Sequence, residues 1–406
     1  MRVVADLHLH SKYALATSKD MDLEHLAEGA RAKGINLLGT GDITHPKWFI
    51  ELKEKLEPIP GTGLYSYRGI TWMLAGEVST VYEQEQRTRK VHHLIYSPEL
   101  EVVAQVNEVL SKFGNLSSDG RPVLKGVDSA EFVELVTSVS RDVVVIPAHS
   151  WTPWFGVFGS RSGFDSLEEC YQDQVAKIFA IETGLSSDPQ MNWRLSSLDK
   201  VALVSNSDAH SPNPWRLGRE ANVFEFGKLS YRAVFDAIRL KDKSRFLYTI
   251  EVDPAYGKYH FTGHKKCGVS MPPREALRMS NVCPKCEKKL TVGVSQRIEE
   301  LADRPEGFRQ KDAIPFRSLL PLYEVISFAT AVNRLYAKAV LKQQDSLIGG
   351  LGSELAVLLE APLEELLRHS KQEVAQAIVA VRENRLTFTP GYDGVYGIPF
   401  FTRAFR

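Results

Sequence analysis

The chain has 406 residues, with 50 Lys or Arg against 50 Asp or Glu. Net charge is therefore zero, and any affinity for a polyanion must come from local asymmetry. A hydrophobic content of 43% and a charged content of 25% exclude a disordered or fibrous chain, and the length allows two or three domains. No apolar run reaches the length of a membrane span and no signal peptide opens the chain, so a cytosolic setting is expected.

The run Val3–Leu9 is apolar, β-branched and alternating, which predicts a strand. Residues two apart on a strand share a face, so Asp6, His8 and His10 line one side of it. Two imidazoles and a carboxylate held so close suit a divalent metal. A helix follows, with Asp22 as cap, Leu23, Leu26, Ala27 and Ala30 on one stripe, and Gly34 as stop. A short strand from Ile35 ends at Asp42, with His45 close behind, and Pro46–Leu56 is predicted helical. Further strands are Trp72–Val78, ending in Glu77, and Lys90–Tyr96, carrying His92 and His93. Helices at Leu100–Phe113 and Ser129–Ser140 flank a Gly/Ser/Pro-rich loop at Gly114–Gly126. Asp142–His149 is a buried-type strand ending in histidine, and Ile178–Glu182 is another. The run Lys200–His210 carries Asp208 and His210 at its end; the helix Tyr231–Leu240 and the strand Arg245–Val252 close this part.

Alternating strands and helices favour a parallel sheet or barrel. Any one polar residue at a strand end could be a satisfied core group. Their repetition argues for a site built from several strand ends converging on one mouth. Imidazoles at 8, 10, 92, 149 and 210, with carboxylates at 42, 77 and 208, suit zinc, manganese or iron(II) better than an all-oxygen metal. The set is too large for one ion, and Glu77 is a good bridge between two. Such ions activate water and neutralise charge on phosphoryl oxygens, so phosphoester hydrolysis is the expected chemistry, with amide hydrolysis a weaker option.

Between Pro254 and Lys311, His264-Lys-Lys-Cys267 and Cys283-Pro-Lys-Cys286 have zinc-ribbon spacing, with His264 in place of one thiolate. His260 is a competing fourth ligand. Lys258 to Arg297 holds nine Lys or Arg against two acids. A zinc module with this excess points to nucleic acid, with a solvated surface as the alternative. Cys170 stands apart and is expected to be a small buried hydrophobe. The remainder is predicted helical over Leu322–Gln344, Gly352–Leu359, Leu363–His369 and Glu373–Asn384, before a Gly/aromatic tail.

The motifs Asp6-Leu-His8-Leu-His10-Ser, Thr40-Gly-Asp42, Gly76-Glu77, Val91-His92, Ala148-His149 and Ser207-Asp208-Ala-His210 resemble those of the polymerase and histidinol phosphatase (PHP) superfamily over roughly residues 1–250. The resemblance implies a distorted seven-stranded β/α barrel with a trinuclear metal centre. His8, His10, Glu77 and Asp208 would hold one ion, and Glu77, His92 and His149 a second. Asp42 and His210 would help hold the third. Asp42 stands where the family often has histidine, and no histidine occurs between 11 and 20, so His45 is a substitute for the third ion. His92 is favoured over His93 by its spacing, and Asp6 is expected to orient the histidines or bind metal itself.

Adding Tyr259 to Cys267, Cys283 to Cys286 and Pro390-Gly-Tyr-Asp-Gly-Val-Tyr-Gly extends the resemblance over nearly the whole chain, to the endonuclease Q family. That implies a repair endonuclease cutting DNA 5′ of uracil, hypoxanthine, xanthine or an abasic site. Its domains would be a catalytic barrel at 1–253, a zinc-binding domain at 254–311 and a helical DNA-binding domain at 312–406. Glu77, His149, Asp208 and His210 would carry the chemistry, with zinc in the small module and zinc, magnesium or manganese in the barrel. Tyr13, Trp151, Trp154 and Phe155 are candidate walls for a flipped base. A monomer is expected, and a sliding clamp is a candidate partner, although the C-terminus shows no convincing clamp-binding peptide. Competing readings are a histidinol-phosphatase-like small-molecule phosphoesterase and a non-catalytic nucleic-acid-binding platform.

Overall fold

A computed structural model describes residues 1–332 and 336–401. The first strand, Arg2–Asp6, pairs in parallel with Leu37–Gly39, which pairs in parallel with Ile70–Gln84. The helix between the first two, Leu23–Lys33, is set by its ends. The Asp22 side chain accepts from the His25 amide, and Gly34 closes the helix at φ +98°. Ile70–Gln84 then forms a long antiparallel hairpin with Arg87–Ser97, which pairs with Val144–Pro147. Ala180–Glu182 and Ala202–Val204 form a separate parallel pair.

These seven strands curl into a distorted barrel, whose ring closes at the end that carries the site. There the Ser150 amide donates to Glu182 O at 2.9 Å, and a parallel bridge joins Leu9 to Ala209. Ala221–Glu225 runs antiparallel against the first strand and extends the sheet outward through Phe246–Glu251 to Phe316–Ser318. Leu7, Met73, Ala75, Leu94 and Ile146 fill the interior between the strands.

The structure departs from the expected elements in ways that matter for the site. The first strand ends at Asp6 rather than Leu9, so His8 and His10 sit on irregular backbone. Glu77 and His92 lie inside strands of 15 and 11 residues, because the hairpin runs on past the mouth as a wall. Lys200–His210 is strand only at Ala202–Val204, before the chain turns through Asp208 at φ +47°. The predicted helix Leu322–Gln344 is two helices, Leu322–Ala329 and Lys338–Leu351, and residues 333–335 fall outside the described part.

The segments after the barrel are packed onto it. Val294 and Ile298, on the helix Val294–Leu301, share a core with Trp151, Phe158 and Phe164. The C-terminal helices bury Leu322, Val325, Leu347 and Ile378 against Val223 and Ile250 on the outside of the sheet. Cys170 is fully buried, as expected. No described helix is long and apolar enough to cross a membrane.

Candidate metal centre and adjoining pocket

Two groups of potential ligands meet at Glu77. His8, His10, Glu77 and Asp208 form one, and Glu77, His92 and His149 the other, each with its ligand atoms within 4.8 Å of one another. Glu77 faces both. Its Oε2 lies 3.3 Å from His10 Nε2 and 3.6 Å from His8 Nε2, while its Oε1 lies 2.7 Å from His92 Nδ1 and 3.0 Å from His149 Nε2. Asp208 Oδ1 closes the first group at 3.1 Å from His10 Nε2.

His8 Nε2, His10 Nε2 and Asp208 Oδ1 are buried and make no hydrogen bond among the described residues. Buried lone pairs without a partner are costly, so convergent orphan atoms of metal-ligating type fit a divalent ion. Burial disfavours the Glu77 carboxylate, but His92, Arg121 and His8 outweigh it and hold the group well below the usual carboxylate range. Asp208 is also depressed, its burial overcome by His8 and His10.

Surrounding side chains aim the histidines. Glu182 contacts His8 Nδ1 at 3.0 Å and accepts from the His149 amide and from Asn206. Thr152 Oγ1 meets His149 Nδ1 at 2.9 Å. A carboxylate on Nδ1 leaves Nε2 to face a metal. Glu182→Gln is therefore expected to cut barrel-metal affinity by about 10–100-fold. Metal titration against the parent protein checks it, and equal affinity would remove Glu182 from this role.

One expected ligand has another position. Asp42 is a correction: its carboxylate lies behind His10, taking Nδ1 at 2.9 Å and the Ser11 amide and hydroxyl at 2.6 Å each. It orients His10 rather than joining either group. Asp6 likewise accepts from Ser207 and the Gly218 amide, tying down the turn before Asp208. His210 stands beside the first group, its ring 4.6 Å from that of His10 and its Nδ1 donating to the Asp208 carbonyl. His93 points away, into contacts with Thr80, Ser129 and Tyr171. His45 stacks on Tyr13 at 4.5 Å.

Of the four rings expected to wall a base pocket, Trp151 is a second correction and the other three lie near the surface. Trp151 is core, 1% exposed, with its indole donating to Asn192 at 2.8 Å. Tyr13 is held by His45 and by a 2.7 Å bond to Glu51. Phe155 covers His92 at 4.3 Å, and Trp154 packs on Tyr259 at 5.9 Å. A cavity of about 200 Å³ beside the metal groups is lined by His149 and Asp208 with Arg219, Lys258, Tyr259 and Tyr396. A Cβ at Gly397 would overlap the Ala255 carbonyl, so glycine there lets the tail lie close to the cavity rim.

The MJ0043 C-terminal domain family matches residues 321–385. An uncharacterized protein of Methanocaldococcus jannaschii is 35% identical over 250 residues, which are 61% of this chain and 31% of that protein. An uncharacterized protein of Bacillus subtilis is 29% identical over 412 residues, covering 98% of each chain. The crystal structure of the lesion-specific endonuclease Q of Pyrococcus furiosus is 36% identical with a TM-score of 0.88, covering 99% of this chain and 96% of that one. The chain belongs to the endonuclease Q family. A second endonuclease Q structure, solved with a 27-mer duplex carrying an abasic lesion at its active site, matches with the same identity and TM-score over 99% and 97% of the two chains.

This endonuclease Q chain also gathers its zinc-type residues. His264, Cys267, Cys283 and Cys286 come within 4.8 Å of one another, with Cys286 Sγ 3.3 Å from His264 Nδ1. His260 lies outside that group, its ring on Phe261. Glu182, Arg121, Arg219, Tyr259 and Tyr396 were not singled out as site residues from the sequence. The pocket's lining is drawn from positions some 250 residues apart, and no local motif joins them.

Proposed function

We propose that the protein is a metal-dependent DNA-repair endonuclease that hydrolyses the phosphodiester 5′ of uracil, hypoxanthine, xanthine or an abasic site. The observation that carries this is the cavity of about 200 Å³ that shares His149 and Asp208 with the two metal groups. A nucleotide seated there brings its own phosphate to those groups, so lesion reading and cutting are one geometry. The endonuclease Q complex with an abasic lesion at the active site supports it.

The chain's residues divide the work. Tyr259 and Tyr396 offer ring faces to an extruded nucleotide, and Arg219 and Lys258 offer cations to its phosphates. Glu77, His8, His10 and Asp208 would hold one ion, and Glu77, His92 and His149 another, with His210 at the edge. Ions there would supply Lewis acidity toward a phosphodiester and water. Mixed imidazole and carboxylate donors favour zinc, manganese or iron(II), and the three thiols with His264 favour structural zinc. One chain supplies the whole pocket, so a monomer suffices.

The test uses labelled duplexes containing uracil, hypoxanthine, xanthine or an abasic site, with added metal and an undamaged control. A nick 5′ of the lesion and an intact control are expected. Intact lesion duplexes alongside hydrolysis of a small phosphomonoester would sink the repair reading.

A further inference from the structure

We propose that Arg121 grips a non-bridging oxygen of the scissile phosphate and is a catalytic residue; this rests on the phosphodiesterase reading above. Arg121 lies in the loop 111–122, which joins the helix Leu100–Leu110 to the short strand Val123–Lys125. Its Nη1 reaches Glu77 Oε2 at 3.3 Å, the same oxygen that faces His8 and His10. Among the described residues, no other Lys or Arg lies within 4.0 Å of Glu77 or Asp208. Arg121 is thus the one permanently charged cation against the two acids of the metal groups. Its side chain is 27% exposed, so it is reachable from the mouth.

The loop around it is fixed from both sides. Asp119 accepts from the Leu15 amide at 2.9 Å, and the Gly120 amide donates to the Tyr13 carbonyl at 3.1 Å. A Cβ at Gly120 would overlap the Asp42 carboxylate, so the loop can sit this deep only with glycine there. On the other side, Pro122 accepts from the Ser79 amide at 2.9 Å. Arg121 is therefore placed by backbone contacts to the segment after His10 and to the strand that carries Glu77.

The guanidinium uses one N–H on Glu77 and makes no other side-chain hydrogen bond among the described residues. A guanidinium has five donors in a planar fork that matches phosphate oxygens two at a time. If ions occupy both groups, Glu77 is committed to them, and the like charge of ion and guanidinium leaves the fork in need of an anion. A phosphodiester at the mouth supplies it. Donors fixed before the substrate arrives stabilise the charge that develops on phosphoryl oxygens without reorganising.

Arg121→Ala and Arg121→Lys are compared with the parent protein by single-turnover nicking of an abasic duplex at saturating enzyme. Barrel metal is counted in each protein, and duplex affinity is measured in chelator. Loss of one fixed donor is expected to slow nicking by about 10²–10³-fold. Metal content should be unchanged, and added guanidinium should restore part of the Arg121→Ala rate. Lysine cannot reproduce the fork, so Arg121→Lys should remain impaired. An unchanged rate, or a loss that tracks missing metal, overturns the assignment. If the parent protein leaves the duplex intact, the repair reading fails by itself. The same variants are then compared on bis(4-nitrophenyl) phosphate, where the same rate loss still decides for or against Arg121.

Discussion

Glu77→Gln is expected to abolish cleavage, by about 10³-fold or more, and to lower the barrel's metal content. A single fixed donor to a reacting oxygen is worth about 10²–10³ in rate, and Glu77 belongs to both ligand groups at once. The amide keeps the shape of the side chain but loses the charge, and one oxygen becomes a donor facing histidine. Asp208→Ala touches only the first group, so it should lose cleavage while keeping an ion on His92 and His149. Duplex affinity should survive both changes, because Lys258, Tyr259, Tyr396 and the basic zinc module remain. Metal counts, nicking assays and binding on the same preparations separate the outcomes. Full metal content and full rate in Glu77→Gln would remove the bridging role. Loss of binding in Asp208→Ala would make the site structural.

The metal groups were legible because the ligand-bearing segments are short and local. His8 and His10 belong to a three-residue motif, and Asp208 to another. What could not be read was which polar residue faces the ions and which stands behind. Asp42 and Glu182 are both buried acids at the end of a strand, and both turn out to hold a histidine from the rear. Nothing in their local sequence distinguishes them from Glu77, because the distinction depends on where the barrel axis falls. The choice between His92 and His93 was legible from spacing, and the pairing of Val78 with His93 and Ser79 with His92 turns His92 to the Glu77 face. The rings of the aromatic loop after His149 divide for a similar reason. His149 adopts φ +29°, and two residues on, Trp151 is buried against Phe158 while Trp154 stays 41% exposed. Hydrophobicity alone does not say which ring goes inside. Alternating elements favoured a parallel sheet or barrel and the motif resemblance implied seven strands, but the long hairpin was not expected, since its outer half lacks the apolar alternation of a core strand.

The second large effect is expected at the zinc-type cluster. The segment around it has a very small apolar core: Val269, Met271, Ala276, Leu290 and the fully buried Cys283. So few side chains cannot offset the entropy of ordering the segment, and small modules of this kind are stapled by metal. Zinc contributes about 10–16 kcal/mol in isolated zinc-finger peptides, so removing a thiolate should unfold the segment between the short strand Thr262–His264 and Leu290. The damage should stop there. The next helix, Val294–Leu301, is anchored in the barrel core by Val294 and Ile298, and its Arg297 donates to the Phe158 carbonyl at 3.1 Å. Cys283→Ser is therefore expected to lose one zinc per chain and to open a protease-sensitive stretch within 265–290, while the barrel keeps its metal. Lys265, Lys266, Arg274, Arg278, Lys285, Lys288 and Lys289 are all exposed on this module. If they lie along a DNA backbone, scattering them should weaken duplex binding. It should also flatten the fall of log affinity with log salt, by about 0.9 for each phosphate no longer neutralised. A variant with normal zinc, protease resistance and affinity would remove the zinc assignment. One that loses zinc and order but binds duplex with an unchanged salt slope would leave the module a structural staple, and would move the DNA-binding surface to the pocket rim and the C-terminal helices.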